Sequence, residues 1–395
     1  MRILFLSRWY PYPADNGSKL RVFALLRGLC ERHDVTLVSF FDPSEVREVV
    51  PACRPAPREI RVSPYSEFDR RSVRAIAGFL GATPRYLVDT RSTEMERLIR
   101  DAVARAPFDL VIASQLSMAA YCRCFRGIPA IFEEVELGVY WPYGQDGRRM
   151  PRWSRARRRL TWEKHRRFIA RLVRNFALCT VASETERELL GSAVPGYPSV
   201  HVVPNSVEVE PAFERSGARA PLLIFTGSLR YGPNRDAMEW FLGNIFPSVR
   251  ASVAGVRLRI TGDAGQGPPL TAPTDDVVFT GRVPDVRSLV AASAVSIAPI
   301  RAGGGTRLKI LEAMAVGTPV VATSKAVEGL GLRHDEHALV ADEPRAFADA
   351  VSRLLGDPKA AQRLAERARA FCRERFDSRV VVPQFLRLVD LAGAA

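Results

Sequence analysis

The chain has 395 residues, 47% of them hydrophobic, and a formal net charge of +14. One ordinary core does not accommodate that length, so two domains of roughly 200 residues or fewer are expected, with enough apolar residues to fill both. Six cysteines without a CxxC spacing, Cys122 and Cys124 lacking a second pair, argue against a zinc site and for a reduced, cytosolic interior.

The apolar run at 3–7 is too brief for the core of a secretion signal and predicts a first β-strand. A helix is expected at 19–32 and a strand at 35–40, with further strands at 110–114, 130–132, 178–182 and 201–203. These runs are apolar on both faces, the pattern of parallel strands covered by helices. The pattern weakens at Pro204-Asn205, and 206–220 reads as a linker. It restarts with strands at 222–226, 257–261, 277–280, 295–298 and 319–323, and helices at 236–250, 286–292, 306–316 and 345–355. A last helix is expected from 377. Alternating β and α units in two blocks predict an α/β chain of two Rossmann-like, doubly wound domains facing across a cleft. Their expected limits are 1–205 and 221–376, with 377–395 packing back on the first domain. No run approaches the roughly 18 apolar residues of a membrane-spanning helix.

Open parallel sheets bind ligands at the carboxyl ends of their strands. Both blocks carry glycine-bearing loops there: Asp15-Asn16-Gly17-Ser18 in the first and Gly303-Gly304-Gly305 in the second. Neither block has GxGxxG after its first strand, which argues against a nicotinamide or flavin enzyme. The stretch RAGGGTRLKILEAMAVGTPVV, 301–321, carries the most chemistry. Glycines before a helix start let backbone N–H groups approach an anion, and the helix adds partial positive charge. Lys309 in the first turn can reach a phosphate, and Glu312 shares its face. A carboxylate there can accept from two vicinal ribose hydroxyls. The segment therefore reads as a nucleotide-diphosphate cradle or, at its plainest, as a surface turn.

GGGTRLKILEAMAVGTPVVAT, with FTGRVPDVRSLVAASAVSIAPIRA before it, resembles the donor site of family 4 glycosyltransferases of the GT-B fold. FTGSLRYGPNRDAMEWF at 225–241 is similar to the first strand, loop and helix of that donor domain. RWYPYPADNGSKLRVFALLRGL at 8–29 resembles the acceptor-domain entry loop, and VVPNSVE at 202–208 the interdomain hinge. The resemblance spans nearly the whole chain, is weakest at 44–175, and is close to a bacterial subgroup of exopolysaccharide and cell-surface sugar transferases. It implies retaining transfer from a UDP- or GDP-type sugar donor to an acceptor hydroxyl, without metal or other cofactor. By position, Glu312 would bind the ribose, Lys309 the diphosphate, and Gly17 would approach it from the other domain. The Arg282-Val283 backbone would read the base, and Gly304, Gly305, Thr306 and Arg307 belong to the donor loop. The family's paired acids stand eight residues apart; the first falls on Gly304, so only the second survives. Ser228 and Pro233 replace the family's Arg and Lys, leaving Arg230, Arg301 or Arg307 as substitutes. A histidine common near the acceptor-domain centre is also missing.

In its place stands FEEVE, 132–136, directly after a strand. Glu134 and Glu136 are candidates to orient an acceptor hydroxyl or serve as its base; a solvated loop, or an ion pair to the arginine-rich helix, is the plain alternative. No two aspartates are separated by one residue, so no DxD is available to hold a cation under a diphosphate. Lys, Arg and helix dipoles are then expected to neutralise the leaving group. His334-Asp335-Glu336-His337 reads as a solvated loop rather than a ligand set.

The charge is concentrated: residues 148–174 hold twelve Arg or Lys against one acid, Glu163. Leu160, Phe168, Ile169, Leu172, Val173 and Phe176 mark the expected buried back of an amphipathic helix. Arg155, Arg157, Arg158 and Arg159 lie on its front. An anionic membrane surface or a lipid-linked acceptor, a solvated face, and nucleic acid are the three readings, the last lacking any aromatic platform or reader motif. The expected location is cytoplasmic, peripheral on the inner face of the plasma membrane. Competing functions are a nucleotide-sugar epimerase of similar fold and a nucleotide-sugar-binding protein without turnover.

Overall fold

A computed structural model describes the chain except for residues 15, 44–53, 139–151, 210–219, 265–269, 271–273, 284, 306 and 395. It consists of two α/β units, residues 1–205 with 381–395, and residues 206–380.

Unit 1 is built on a parallel sheet of β1 (Arg2–Ser7), β2 (Asp34–Phe41), β3 (Glu59–Pro64), β4 (Leu110–Ser114), β5 (Ala130–Glu133), β6 (Leu178–Val181) and β7 (Val200–Val202). The strand order is β3-β2-β1-β4-β5-β6-β7, with Ile3 registered against both Val35 and Leu110. Side chains alternate across a strand, and β1 shows the consequence. Ile3 and Phe5 enter a core with Leu25, Leu26 and Phe385, while Leu4 and Leu6 enter the opposite one with Val38, Ile99 and Phe132.

The helix Gly17–Cys30 follows β1, and the Asn16 side chain caps it by accepting from the Lys19 amide at 3.0 Å. The helix Ser378–Gly393 sends Val381, Val382, Phe385, Leu386 and Val389 into the core containing Leu25 and Leu29. A Cβ at Gly28 would lie 2.2 Å from Val382 Cγ1, so glycine permits this close packing.

Unit 2 repeats the plan with β8 (Leu222–Thr226), β9 (Arg257–Thr261), β10 (Val277–Gly281), β11 (Val295–Ala298), β12 (Val320–Ala322) and β13 (Leu339–Val340), in the order β10-β9-β8-β11-β12-β13. Its two ends meet: the Val207 amide donates to Phe376 O at 2.9 Å, and the Ser378 amide to Val207 O at 3.0 Å.

Three expectations are corrected. The helix expected at 236–250 is two, Gly232–Asn244 and Phe246–Ser252, because Pro247 opens the second and the chain turns at Ile245. In the basic helix Arg152–Leu172, Leu160 is exposed; the buried stripe is Trp162, His165, Ile169 and Leu172. His337 is not solvated but buried, its ring stacked on Phe371 at 4.2 Å between centroids. Residues 148–151 of the basic segment lie outside the described residues. No described helix is long and apolar enough to cross a membrane.

Candidate functional site

In each unit the order of strands reverses between the first and fourth, the position where open α/β sheets take ligands beyond their carboxyl ends. In unit 2 this is the space after β8 and β11. The chain leaves β8 through Gly227, whose φ is +136°. A Cβ there would lie 2.8 Å from Asn234 Nδ2 and 3.0 Å from Lys309 Nζ, so only glycine lets the backbone pass so close.

Lys309 lies in the first turn of the helix Leu308–Ala315. Its ammonium donates to Asn234 Oδ1 at 2.9 Å and lies 3.8 Å from the centre of the Phe225 ring. Asn234 Nδ2 donates to Ser228 O at 2.8 Å, so one amide ties the lysine to the loop after β8. Burial lowers the Lys309 pKa to about 7; the Arg307 charge adds to this and Glu312 opposes it. Glu312, on the same face, is pushed upward by burial against the pull of Lys309 and Arg287. Its carboxylate accepts no hydrogen bond from the described residues. A partly buried acid with open lone pairs beside an ammonium of lowered pKa is an arrangement able to take a ligand with both hydroxyls and anionic groups.

The loop after β11 is held from within. Gly303 and Gly305 have φ of +93° and +79°. Arg307 Nη1 donates to Gly304 O at 2.6 Å and Nη2 to Ala302 O at 3.2 Å, while its buried Nε has no partner among the described residues. The position at which the family's pattern has its first acid thus offers a carbonyl already taken by Arg307. Arg301 is committed to Asp236 at 2.7 Å and covers the Trp240 ring. Arg230 is exposed, 3.5 Å from Asp263, on the loop after β8. Arg282 and Val283 follow β10, Arg282 exposed and Val283 half-buried. Thr306 lies outside the described residues. Asn234 and Phe225 were not singled out from the sequence; their signal was only their place beside Gly227.

Unit 1 gathers a second cluster after β4 and β5. Glu133, fully buried, accepts from Arg21 Nε at 2.6 Å and from Ser114 Oγ at 2.6 Å. Arg21 Nη1 donates to Val203 O and Asn205 Oδ1, both at 2.9 Å, and its buried Nη2 has no partner among the described residues. Glu134, whose carboxylate lies 3.7 Å from the same Arg21 Nε, has a φ of +58°, and Gln115 has +68°, conformations seldom adopted by non-glycine residues. Gln115 Nε2 donates to Glu134 Oε2 at 2.9 Å and approaches Ser18 Oγ at 3.4 Å, beside Gly17 at the helix start. Burial pushes the Glu134 carboxyl up to about 7, against the pull of Arg21. Of the two acids chosen from the sequence, Glu134 stands in this cluster; Glu136 is half-buried two residues beyond it. Glu133, in the same FEEVE run, was not chosen, and Arg21 and Gln115 were missed. Arg21 did leave a signal, a charge four and eight positions before the apolar Leu25 and Leu29 and so on their helix face. Asp15 of the Gly17 loop is outside the described residues. Arg155, Arg157, Arg158 and Arg159 are exposed on their helix. Among the described residues no group of three or more His, Cys, Asp or Glu is placed to hold a metal ion.

The family described as glycosyl transferases group 1 matches residues 220–357. The chain is 29% identical over 240 residues to a phosphatidyl-myo-inositol mannosyltransferase of Mycobacterium leprae, covering 58% of this chain and 61% of that one. It is 25% identical over 176 residues to an uncharacterised 44.6 kDa protein in the cps region of Klebsiella pneumoniae, covering 40% and 43%. These matches span less than two thirds of either relative. Among solved structures, sucrose-phosphate synthase of Thermosynechococcus elongatus superposes with a TM-score of 0.70 at 17% identity, covering both chains fully. Anabaena HepE, in complex with UDP and glucose, gives 0.67 at 15% identity, covering 98% of this chain and 99% of that one. These structures share the fold.

Proposed function

We propose that the chain is a group 1 glycosyltransferase, supported by the family match over 220–357 and the mannosyltransferase relative, and that it moves a sugar from a nucleotide-diphospho-sugar to an acceptor hydroxyl, with retention at the anomeric carbon. The observation that carries this reading is the arrangement of Lys309, Asn234 and the Gly227 backbone, with Glu312 one turn further on. Lys309 takes the diphosphate, Glu312 the ribose hydroxyls, and the backbone at Arg282 and Val283 the base. Glycines at 304 and 305 leave room beside the phosphates, and Arg230 adds charge. In unit 1, Glu134 holds the acceptor hydroxyl, with Glu136 beside it. A hexose on UDP or GDP is the proposed donor, consistent with the UDP and glucose in HepE. A lipid-linked acceptor in cell-surface polysaccharide or glycolipid assembly is supported by the relatives from M. leprae and the cps region. We place the reaction at the cytoplasmic side of the membrane and without a divalent cation, because the sequence has no DxD and supplies Lys309 and the helix dipole for the leaving diphosphate.

The test is a mass-spectrometric screen of nucleotide sugars with hydrolysis and transfer as readouts, run in excess EDTA, followed by determination of the product anomer. Turnover restored only by magnesium or manganese overturns the metal-free reading, and an inverted anomer overturns retention. Epimerised donor makes the protein an epimerase. Tight nucleotide binding without turnover favours a binding protein, for which Gly304 in place of an acid is the specific observation.

Two binding predictions follow from the cradle. Glu312→Ala weakens nucleotide affinity by about 1.5–3 kcal/mol, the worth of hydrogen bonds to a charged group, as read by calorimetry; unchanged affinity removes Glu312 from the ribose. Lys309, with its pKa near 7, is mostly neutral in the empty site above that pH and is charged again by a bound diphosphate. Affinity is therefore flat below about pH 7 and falls above it. Calorimetry at about pH 8 in buffers of different ionisation enthalpy gives an uptake approaching one proton, which Lys309→Met abolishes.

A further inference from the structure

Unit 1 carries a surface that the transfer reaction does not use. In the helix Val73–Ala77 and the turn after it, Val73 is 83% exposed, Phe79 62% and Leu80 96%, and Ile76 is more than half exposed. Scattered apolar residues on a surface need no explanation, whereas a contiguous group marks an interaction site. The turn is held in place. Arg85 donates to Ala75 O at 2.7 Å and stacks 3.7 Å from the Phe79 ring centre, and Lys164 Nζ donates to Gly78 O.

Lys164 belongs to the basic helix. On that helix Trp153, Arg157, Leu160 and Lys164 follow at spacings of four, three and four, and so share one stripe. Trp153 is 65% exposed and Leu160 72%. The stripe that Lys164 turns toward Gly78 therefore carries two more exposed apolar side chains beside the arginines. Arg155, Arg157, Arg158 and Arg159 are exposed, and no acid occurs from 152 to 162. The first acid, Glu163, is committed to Arg166 at 2.7 Å and Arg167 at 2.8 Å.

We propose that this surface docks unit 1 on an anionic lipid bilayer. Phe79, Leu80, Trp153 and Leu160 enter the boundary between head groups and acyl chains, and the arginines bind lipid phosphates. Each half answers one property of that surface. Arginine forks pair with phosphate oxygens, and an aromatic with a polar tip favours the membrane interface. A nucleic acid would engage the arginines and leave Val73 and Leu80 bare. A merely solvated basic face would not carry apolar side chains along its own stripe. The assignment stands apart from the catalytic one, because nucleotide binding is read in solution and docking on vesicles, so either can fail alone.

The experiment is sedimentation of the full chain with phosphatidylcholine vesicles and with phosphatidylcholine–phosphatidylglycerol vesicles, at low and high salt. Binding is expected on the anionic vesicles. The variant with Arg155, Arg157, Arg158 and Arg159 all changed to Gln binds them about a hundredfold or more weakly, since each basic residue near such a surface contributes roughly tenfold or somewhat less. Phe79→Ser with Leu80→Ser binds about tenfold more weakly, and what remains is abolished by salt, whereas the unaltered protein retains a salt-resistant part. Thermal melting checks the fold of both variants. If the double variant melts early, Leu80→Lys alone, at a side chain almost wholly in solvent, repeats the test. Equal binding to both vesicle types overturns the proposal, as does a serine variant bound as tightly as the original. A lipid-free dimer abolished by Leu80→Lys assigns the patch to a second copy of the chain. Tighter binding to a single-stranded oligonucleotide than to vesicles assigns the arginines to nucleic acid.

Discussion

Glu133→Ala lowers the unfolding free energy of unit 1 by about 3–5 kcal/mol, the usual consequence of removing one partner from a buried ion pair. Both partners are out of water: Glu133 is fully buried and Arg21 nearly so, with Arg21 Nε 2.6 Å from the carboxylate. Truncation strands the guanidinium and also leaves Ser114 Oγ without its acceptor. Glu134, 3.7 Å from Arg21 Nε, supplies part of the missing charge, which places the effect toward the lower end of that range. Urea unfolding gives the difference as a shift in midpoint at constant slope. The pair Arg21→Met with Glu133→Leu recovers much of the loss, because an apolar pair has no charge to desolvate. An unchanged midpoint for Glu133→Ala would mean that Arg21 finds water, contrary to its burial.

Glu134→Gln reduces turnover by about 10²–10⁴, the range for a positioned general acid or base, and leaves nucleotide affinity as it was. Burial holds the carboxyl at about 7, where it exchanges a proton at neutral pH. If Glu134 accepts the proton of the acceptor hydroxyl it must be ionised, so kcat/KM rises with pH through about 7. A fall over that interval would make it a proton donor. The glutamine variant loses the transition. Gln115→Ala moves it upward, since Gln115 donates to the ionised carboxylate at 2.9 Å and favours that form. A Glu134→Gln enzyme with full activity and the original pH profile would remove this residue from the chemistry.

The two sheets were legible in the sequence because buried parallel strands are short apolar runs between turn residues. The strand Glu59–Pro64 was not, because as an edge strand it is buried chiefly at Ser63 and reads EIRVSP. The helix Pro358–Phe376 was missed although Leu364, Ala365, Ala368 and Cys372 form its buried stripe; small residues there give a faint apolar period. In unit 2 the glycines and Lys309 could be named from their spacing, whereas Asn234 required the fold to bring it 75 positions along the chain to the lysine. In unit 1 FEEVE pointed to Glu134 and Glu136, and only the fold brings Glu133 to Arg21 and Glu134 to Gln115. What separates Glu133 from Glu134 is the second partner each finds beside the shared Arg21, Ser114 for the first and Gln115 for the second, and neither contact has a trace in residue type.

Unit 1 is interrupted in sequence, and this sets an order of events during synthesis. Val381, Phe385, Leu386 and Val389 complete the core around Leu25 and Leu29, so that side of the sheet stays uncovered until the ribosome has made all of residues 206–380. The intervening segment closes on itself, through Val207 against Phe376 and Ser378. The inserted unit can therefore finish folding while its host is still incomplete, and the nascent chain carries an open apolar face for the whole of that interval. A chain ending at Val380, held on the ribosome by an added linker long enough to clear the exit tunnel, is expected to be protected from protease in unit 2 and cut within unit 1; a chain with residues 381–393 added closes the second region.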